Sequence, residues 1–215
     1  MRKYALLAWC LAPLAVILFH FTTGQRLWFA EKSVPLRLLG EKAELAGNYK
    51  KAVEHYLSAE SAAHPKDLVL RTRLRIDAAR ALMLDGSPLE AAEQIDLLLE
   101  PRRGRPLPTT LVAEARSTLA LALYYAAYTL RLESSSPDMW KSEADGAYQI
   151  FRDLYQSEIR TEQKTLSVFY ARNLEASVRL ARARKGELAS LPVPEAARAA
   201  LERGVASKKR AAASE

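Results

Sequence analysis

The sequence contains little of the chemistry on which disulfide-rich, metal-binding and β-rich proteins depend. Its 215 residues include one cysteine and three histidines, which excludes a disulfide scaffold and cysteine-based metal clusters. Only eight glycines and ten prolines are present, and this scarcity disfavours an all-β fold with many tight turns. Ala and Leu dominate instead, with many Glu, Arg and Lys, and these residues favour helices. The composition therefore predicts an all-α fold.

Motifs that carry catalysis are also missing. The sequence has no HExxH, no GxSxG, no phosphate-binding GxxxxGK[ST] and no GxGxxG. His20, His55 and His64 have no cysteine or carboxylate at metal-ligand spacing, and Cys10 lies inside an apolar run. We therefore predict that the protein is not an enzyme and uses no metal or cofactor.

One long hydrophobic run is present, and it lies near the N-terminus. Arg2 and Lys3 precede a mostly apolar stretch over residues 4–21, which as a helix nearly matches the ~30 Å hydrocarbon core of a bilayer. Only Thr22 and Gly24 offer a small-residue cleavage site. We predict a transmembrane signal anchor over residues 1–30, with a cleaved signal peptide and a buried helix of a soluble protein as the alternatives.

The basic residues around this run bear on its orientation. A basic head before an N-terminal apolar run is the usual export signal, and it predicts a single-pass inner (plasma) membrane protein with an extracytoplasmic body. Arg26, Lys32, Arg37 and Lys42 follow the run and favour the opposite orientation by the positive-inside rule. We therefore expect a protein of the bacterial envelope whose body is extracytoplasmic, although the basic residues after the run count against this orientation.

Beyond residue 34 the sequence alternates between helical stretches and short breaks that contain Gly, Pro or Ser. No strand-like alternation of useful length occurs. We predict helices over residues 35–46, 49–62, 67–85, 89–99, 109–133, 138–157 and 162–185, with a weaker one over 194–204. These segments form a predicted helical repeat domain over residues 34–186, followed by a basic, weakly structured tail over residues 187–215.

A repeated spacing organises these helices. An alanine recurs at positions 52, 91 and 144, and Tyr56, Ile95 and Tyr148 follow it by four residues. Residues four apart share a helix face, so the alanine allows a neighbouring helix to approach while the larger residue fills the space beside it. The predicted repeat-packing residues are Leu39, Gly40, Gly47, Tyr49, Ala52, Tyr56, Ala59, Gly86, Ala91, Ile95, Ala144 and Tyr148.

The stretch from Leu39-Gly40 through Gly47-Asn48-Tyr49, Ala52, Tyr56 and Ala59 to Pro65 resembles a tetratricopeptide repeat (TPR). The resemblance implies a TPR-like, right-handed stack of antiparallel helical hairpins, an α-solenoid whose inner face holds a peptide or protein segment. Later copies are degenerate, since Pro88 stands where an aromatic residue is expected and Met139 replaces a glycine. Generic helical hairpins with alanine at their crossings are the alternative.

The order of features is also similar to that of MxaK-like membrane-anchored repeat proteins. The features are a basic-headed single span, one clear repeat, Ala147-Tyr148, and Ala171-Arg172-Asn173-Leu174-Glu175 followed by Arg179-Leu180. Proteins of that family are encoded beside MoxR-type ATPases and von Willebrand factor A domain proteins. The resemblance therefore implies a von Willebrand factor A domain protein of a MoxR-type system as a partner.

Two pairs of residues are candidates for partner binding. Arg71 and Arg75 share a face of the third predicted helix, the first helix of a hairpin, where they would meet a partner's carboxylates. Tyr124 and Tyr128 are four residues apart and belong either to the core or to an aromatic binding surface. We thus expect a membrane-tethered protein–protein interaction scaffold or an assembly factor for an envelope complex.

The distribution of charge supports an alternative function. The formal net charge is +7, and residues 179–215 contain nine Lys and Arg against four Glu. Such a basic tail could bind an anionic membrane surface or nucleic acid. Because residues 187–215 contain no aromatic side chain for stacking on bases, nucleic acid is not an expected partner.

Overall fold

The computed structural model describes residues 25–100, 106–160 and 164–191. Every regular element in these ranges is helical, which confirms the prediction of an all-α protein for this part of the chain. The α-helices are α1 (Gln25–Leu45), α2 (Tyr49–Ala62), α3 (Leu68–Asp85), α4 (Pro88–Leu99), α5 (Thr109–Leu132), α6 (Pro137–Arg160) and α7 (Lys164–Arg182), followed by a 3₁₀ helix (Lys185–Ser190). The weaker helix predicted over 194–204 lies outside the described residues.

The first helix differs most from its predicted bounds. It begins at Gln25 rather than near residue 35, and Pro35 lies inside it. A proline lacks the amide that would donate to the carbonyl of Glu31, which is why a sequence rule places it at a helix start. The helix therefore crosses the predicted boundary between the anchor and the repeat domain, at residues 30–34.

The turns after α1, α3 and α5 share one backbone conformation. Gly47, Gly86 and Ser134 adopt positive φ angles of 71°, 94° and 61°. In each turn the amide of the next residue donates to the carbonyl five residues earlier, with N···O distances of 2.8, 3.0 and 2.9 Å, as in a Schellman motif. The third counterpart of the two glycines is therefore Ser134, and Met139 lies inside α6 instead.

The core consists of two adjacent apolar clusters that share α3. Leu74, Ala78 and Ala81 of α3 join the first cluster, with α1 and α2, while Ile76 and Ala79 join the second, with α4 to α7. The extensive helix contacts connect neighbours along the chain, and α3 also packs against α5. Because two faces of α3 are buried, this helix joins the two clusters into one structure.

The second cluster extends beyond the predicted end of the repeat domain at residue 186. Leu188 is fully buried and Leu191 is 7% exposed, and both belong to this cluster. The 3₁₀ helix that carries Leu188 packs against α5. Leu188 and Leu191, both assigned to the tail, are therefore part of the core.

An arginine holds the end of α7 against α5. Arg131 donates from Nη2 to the carbonyl oxygen of Ala183 at 2.5 Å and from Nη1 to that of Leu180. Its guanidinium carbon lies 4.2 Å from the ring centroid of Trp140, and burial lowers the pKa of this guanidinium below its ordinary value. The last carbonyls of a helix have no partner within the helix, so Arg131 satisfies groups that would otherwise need water.

The membrane segment predicted over residues 4–21 falls outside the described residues. Within residues 25–100, 106–160 and 164–191, no helix is both long enough and apolar enough to cross a bilayer.

Candidate functional site

The most distinctive polar site lies where α2, α3 and α4 meet. Glu60 of α2 is only 8% exposed in its side chain, yet it contacts two arginines of α3. Its Oε1 accepts from Nη2 of Arg71 at 2.7 Å and from Nε at 3.1 Å, while its Oε2 lies 3.2 Å from Nε of Arg75. One buried carboxylate thus fixes the position of two guanidinium groups.

These three residues border a small pocket of about 150 Å³. The other lining residues are Leu68 and Thr72 of α3 and Leu98 of α4. The arginine side chains are 35% and 37% exposed, so both reach solvent, while Arg71 hydrogen-bonds Glu60 and Arg75 lies within ion-pair distance of it. The pocket therefore offers fixed cationic donors beside apolar walls, an arrangement suited to one small anionic group.

The residues that build the pocket are positioned by local features of the sequence. Asp67 caps the start of α3 because its Oδ1 accepts from the amide of Leu70 at 3.0 Å. Arg71 and Arg75 follow one and two turns later on one face. Glu60 follows the fully buried Ala59, which places it at the edge of the first cluster.

Sequence reasoning paired Arg71 with Arg75 but missed Glu60. The sequence predicts that these two arginines meet a partner's carboxylates, and the structure brings them together on a buried carboxylate of the chain itself, at the junction of two hairpins. The only available signal was a glutamate directly after a packing alanine, which is weak because most glutamates lie on helix surfaces.

A second polar group lies on the opposite side of α3. Arg80 of α3 contacts its own Asp77 at 3.5 Å and donates to Oε1 of Glu114 on α5 at 2.9 Å. The hydroxyl of Tyr56 donates to Oε2 of Glu44 on α1 at 2.8 Å. Charged side chains of three alternate helices, α1, α3 and α5, thus face the same region.

Burial and neighbouring charges alter the acidity of this region. Burial raises the pKa of the Asp77 carboxyl above its ordinary value, and the carboxylates of Glu114 and Glu44 add to the rise, while Arg80 opposes it. Burial also raises the pKa of the Tyr56 hydroxyl, and its bond to Glu44 raises it further. Both groups therefore hold their protons more tightly than exposed counterparts do.

The predicted repeat-packing residues fall into two groups by burial. Ala52, Tyr56, Ala59, Ala91, Ile95 and Ala144 are at most 2% exposed. Gly40 is buried against Tyr56, whereas Leu39 is 45% exposed, and Gly47, Tyr49, Gly86 and Tyr148 are half-buried. The alanines and the residues four positions later thus lie in helix contacts, except Tyr148 at the third copy.

The aromatic pair proposed for partner binding lies inside the second cluster. Tyr124 is 4% exposed and Tyr128 is 7% exposed. The ring of Tyr124 meets that of Tyr125 edge-to-face at a centroid distance of 5.7 Å, and burial raises the pKa of the Tyr124 hydroxyl to about 12. These side chains contribute to the core and present little surface to a partner.

A shallow crevice is found near the start of α1. It has a volume of about 600 Å³ and is lined by Phe29, Lys32, Leu57, Ser58, Ser61 and Ala62. The ring of Phe29 packs edge-to-face on that of His64 at 4.8 Å. Since the hydroxyls of both serines donate to carbonyls of their own helix, the crevice offers few donors for a ligand.

Metal coordination has no candidate in the part of the chain that the structure describes. No group of three or more His, Cys, Asp and Glu side chains there could hold a metal ion. The polar sites are instead ion pairs and hydrogen bonds between helices.

Comparison with known proteins identifies no related protein. No protein-family model matches the chain, and neither a curated protein nor a solved structure resembles it significantly.

Proposed function

We propose that the chain is a non-catalytic scaffold that binds a protein partner through a TPR-like stack of helical hairpins. The observation that carries this proposal is the pair of half-exposed arginines held by Glu60 at the junction of α2, α3 and α4. Donors that are already fixed in place lose little conformational entropy when a partner binds. A junction between two hairpins is also a natural contact surface for a segment that lies across a helical stack.

The setting of the scaffold follows from the N-terminal sequence. In this proposal residues 4–21 anchor the chain in the inner membrane and the helical body is extracytoplasmic. A tether of this kind raises the effective concentration of the body for partners in or near the same membrane. The resemblance to MxaK-like proteins makes a von Willebrand factor A domain protein of a MoxR-type system the first partner to test.

The partner can be tested by photo-cross-linking in cells that produce the full-length chain. A benzoylphenylalanine residue replaces Leu68, which lines the pocket, or Met139, which is 55% exposed on α6. We expect a discrete adduct from position 68, identified by mass spectrometry as a von Willebrand factor A domain protein, and none from position 139. Absence of any adduct at position 68, or equal adducts at both positions, would contradict the proposal.

The tether requires a separate measurement. Washing membranes with alkaline carbonate should leave the full-length chain in the pellet and release a variant that lacks residues 1–24. A periplasm-dependent reporter fused after Leu191 should be active, because the body is proposed to be extracytoplasmic. Release of the full-length chain would remove the tether, and activity of a cytoplasm-dependent reporter alone would reverse the orientation.

A further inference from the structure

Among the described residues, the charged side chains of the Glu60 site do not balance one another. Two guanidinium groups share one carboxylate, so the three side chains carry a net charge of +1. The side chain of Glu60 is nearly buried, and those of the arginines are more than one-third exposed. One guanidinium balances the charge of the Glu60 carboxylate, so the second leaves one positive charge at the pocket that these three side chains do not neutralise.

The donors that remain are the basis for a binding site. Glu60 engages Nε and Nη2 of Arg71 and Nε of Arg75. Among the residues that the structure describes, none accepts a hydrogen bond from Nη1 of Arg71 or from either Nη of Arg75. Both side chains border the pocket, so these N–H groups are available to a ligand there.

We propose that this pocket binds one carboxylate of an acidic protein segment, with Arg71 and Arg75 as the donors and Leu68 and Leu98 as apolar walls. The proposal rests on the scaffold function and names the chemistry of its partner. A monoanionic carboxylate would bring the net charge of the site to zero, whereas a phosphate dianion would leave it negative. The volume of about 150 Å³ also suits a single small group.

Glu60 has two opposing effects in this site. It orients both guanidinium groups, and it also occupies donors and neutralises charge that an incoming carboxylate would otherwise meet. Replacing it with glutamine removes the negative charge but keeps the shape of the side chain. The proposal therefore predicts that Glu60→Gln tightens binding of a carboxylate, whereas loss of either arginine weakens it.

The test measures peptide binding to the purified full-length chain in nonionic detergent, by fluorescence polarisation at low salt. The probe is a rhodamine-labelled Leu-Ser-Glu-Leu-Gly peptide with an amidated C-terminus. Three companion peptides carry Gln for Glu, Gln with a free C-terminal carboxylate, or phosphoserine for Glu. The first two separate a side-chain carboxylate from a terminal one, and the third tests for phosphate.

The expected pattern depends on charge-assisted hydrogen bonds, whose loss weakens binding about tenfold or more. The amidated Gln peptide should bind about tenfold more weakly than the Glu peptide, and Arg71→Gln and Arg75→Gln should have similar effects. Each of these variants leaves Glu60 with one arginine, so its carboxylate keeps a partner. Glu60→Gln should bind the Glu peptide several-fold more tightly.

Arg73→Gln is the matched control, because it removes the same charge from an exposed position of the same helix. If Arg73→Gln and Arg71→Gln weaken binding of the Glu peptide equally, the effect comes from the net positive charge alone, and the proposed site is wrong. Unchanged binding of the Glu peptide by both Arg71→Gln and Arg75→Gln would also overturn the site. Tighter binding of the phosphoserine peptide than of the Glu peptide would overturn it as well. Circular dichroism of each variant verifies that the helices are retained.

The two proposals fail in different ways. If the cross-link from position 68 persists while peptide binding ignores both arginines, the scaffold stands and the carboxylate site is wrong. If peptide binding depends on both arginines but no cross-link forms in cells, the carboxylate site stands and the scaffold role is wrong.

Discussion

Tyr56 connects α2 to α1 through both its ring and its hydroxyl. The side chain is 2% exposed, and its hydroxyl donates to Glu44 of α1. The ring occupies the space that opens because Gly40 has no Cβ; a Cβ built there would lie 2.7 Å from Cε1 of Tyr56. This close approach is the reason for glycine in the middle of a helix, where it otherwise lowers stability.

We predict that Gly40→Ala destabilises the protein. Overpacking against the Tyr56 ring costs about 2 kcal/mol, and the better helix propensity of alanine returns about 1 kcal/mol. The free energy of unfolding should thus fall by about 1 kcal/mol, which urea denaturation followed by circular dichroism can measure.

Gly146→Ala is the matched control for this prediction, because Gly146 also lies inside a helix. A Cβ at Gly146 would meet only the end of the flexible Leu123 side chain, at 3.2 Å. We expect this variant to be as stable as the parent or slightly more stable. If both variants gain stability equally, the Tyr56 ring does not limit the approach of α1.

At the same residue scale, the sequence predicts which residues pack between helices better than it predicts which charged side chains form ion pairs. Alanines 52, 91 and 144 and the larger residues after them follow the period of a helix, so their shared face can be inferred without coordinates. The partner of Arg71 and Arg75 lies at Glu60, in another helix. No local period relates α2 to α3, because the connection between them sets which side chains meet.

At the scale of single elements, the structure shows three turns that share one left-handed backbone conformation. Gly47, Gly86 and Ser134 lie at the same place in consecutive hairpins. Glycine predicts this conformation, whereas serine does not, since a residue with a Cβ rarely adopts positive φ. Aligning the alanines therefore placed the third turn at Met139, five residues too late.

We predict that Ser134→Gly stabilises the protein. A residue with a Cβ is destabilised by about 1 kcal/mol when its backbone adopts the left-handed conformation, and glycine is not. Among the described residues, Ser134 is the only non-glycine residue with positive φ. Thermal unfolding of the purified chain should show a higher midpoint, with a free energy of unfolding raised by about 1 kcal/mol.

The control for this prediction is Ser136→Gly, the same chemical change two residues later. Ser136 directly precedes α6 and has no positive φ, so its replacement relieves no left-handed backbone, and glycine at this position changes the free energy of unfolding by only a few tenths of a kcal/mol. A rise in stability from this variant as large as that from Ser134→Gly would mean that backbone strain at Ser134 is not the cause.

Helix positions were the most predictable property at this scale. From α2 to α6 the bounds lie within about three residues of those predicted from Gly, Pro and Ser breaks. The start of α1 was not predictable in this way, because Pro35 has the local signature of a helix start. The helix nevertheless begins ten residues earlier, at Gln25, with Pro35 inside it.

At the scale of the whole molecule, α3 determines how the hairpins combine. One of its faces completes the cluster with α1 and α2, and the other joins the cluster that extends to Leu191. A helix buried on two sides shows no single apolar stripe, so its central role is hard to read from the sequence. The extent of the second cluster is equally hard to predict from the sequence, because the cluster includes Leu188 and Leu191, whereas the predicted tail begins at residue 187.

Two truncations test how much the C-terminal end of the core contributes to stability. Ending the chain after Gly186 removes Leu188 and Leu191, both of which are buried in the second cluster. Losing one buried leucine side chain typically costs about 2–5 kcal/mol. We therefore expect a loss of at least about 3 kcal/mol in the free energy of unfolding, because two such side chains leave the core together.

Ending the chain after Leu191 instead keeps both leucines and removes the 24 residues of 192–215. This truncation should leave the free energy of unfolding, measured by urea denaturation, within about 0.5 kcal/mol of that of the full chain. Because it separates the distal basic residues from the core, it is also the right variant for testing the alternative function of the tail. Equal losses from both truncations would mean that residues beyond 191 hold the second cluster together and that Leu188 and Leu191 are not its natural end.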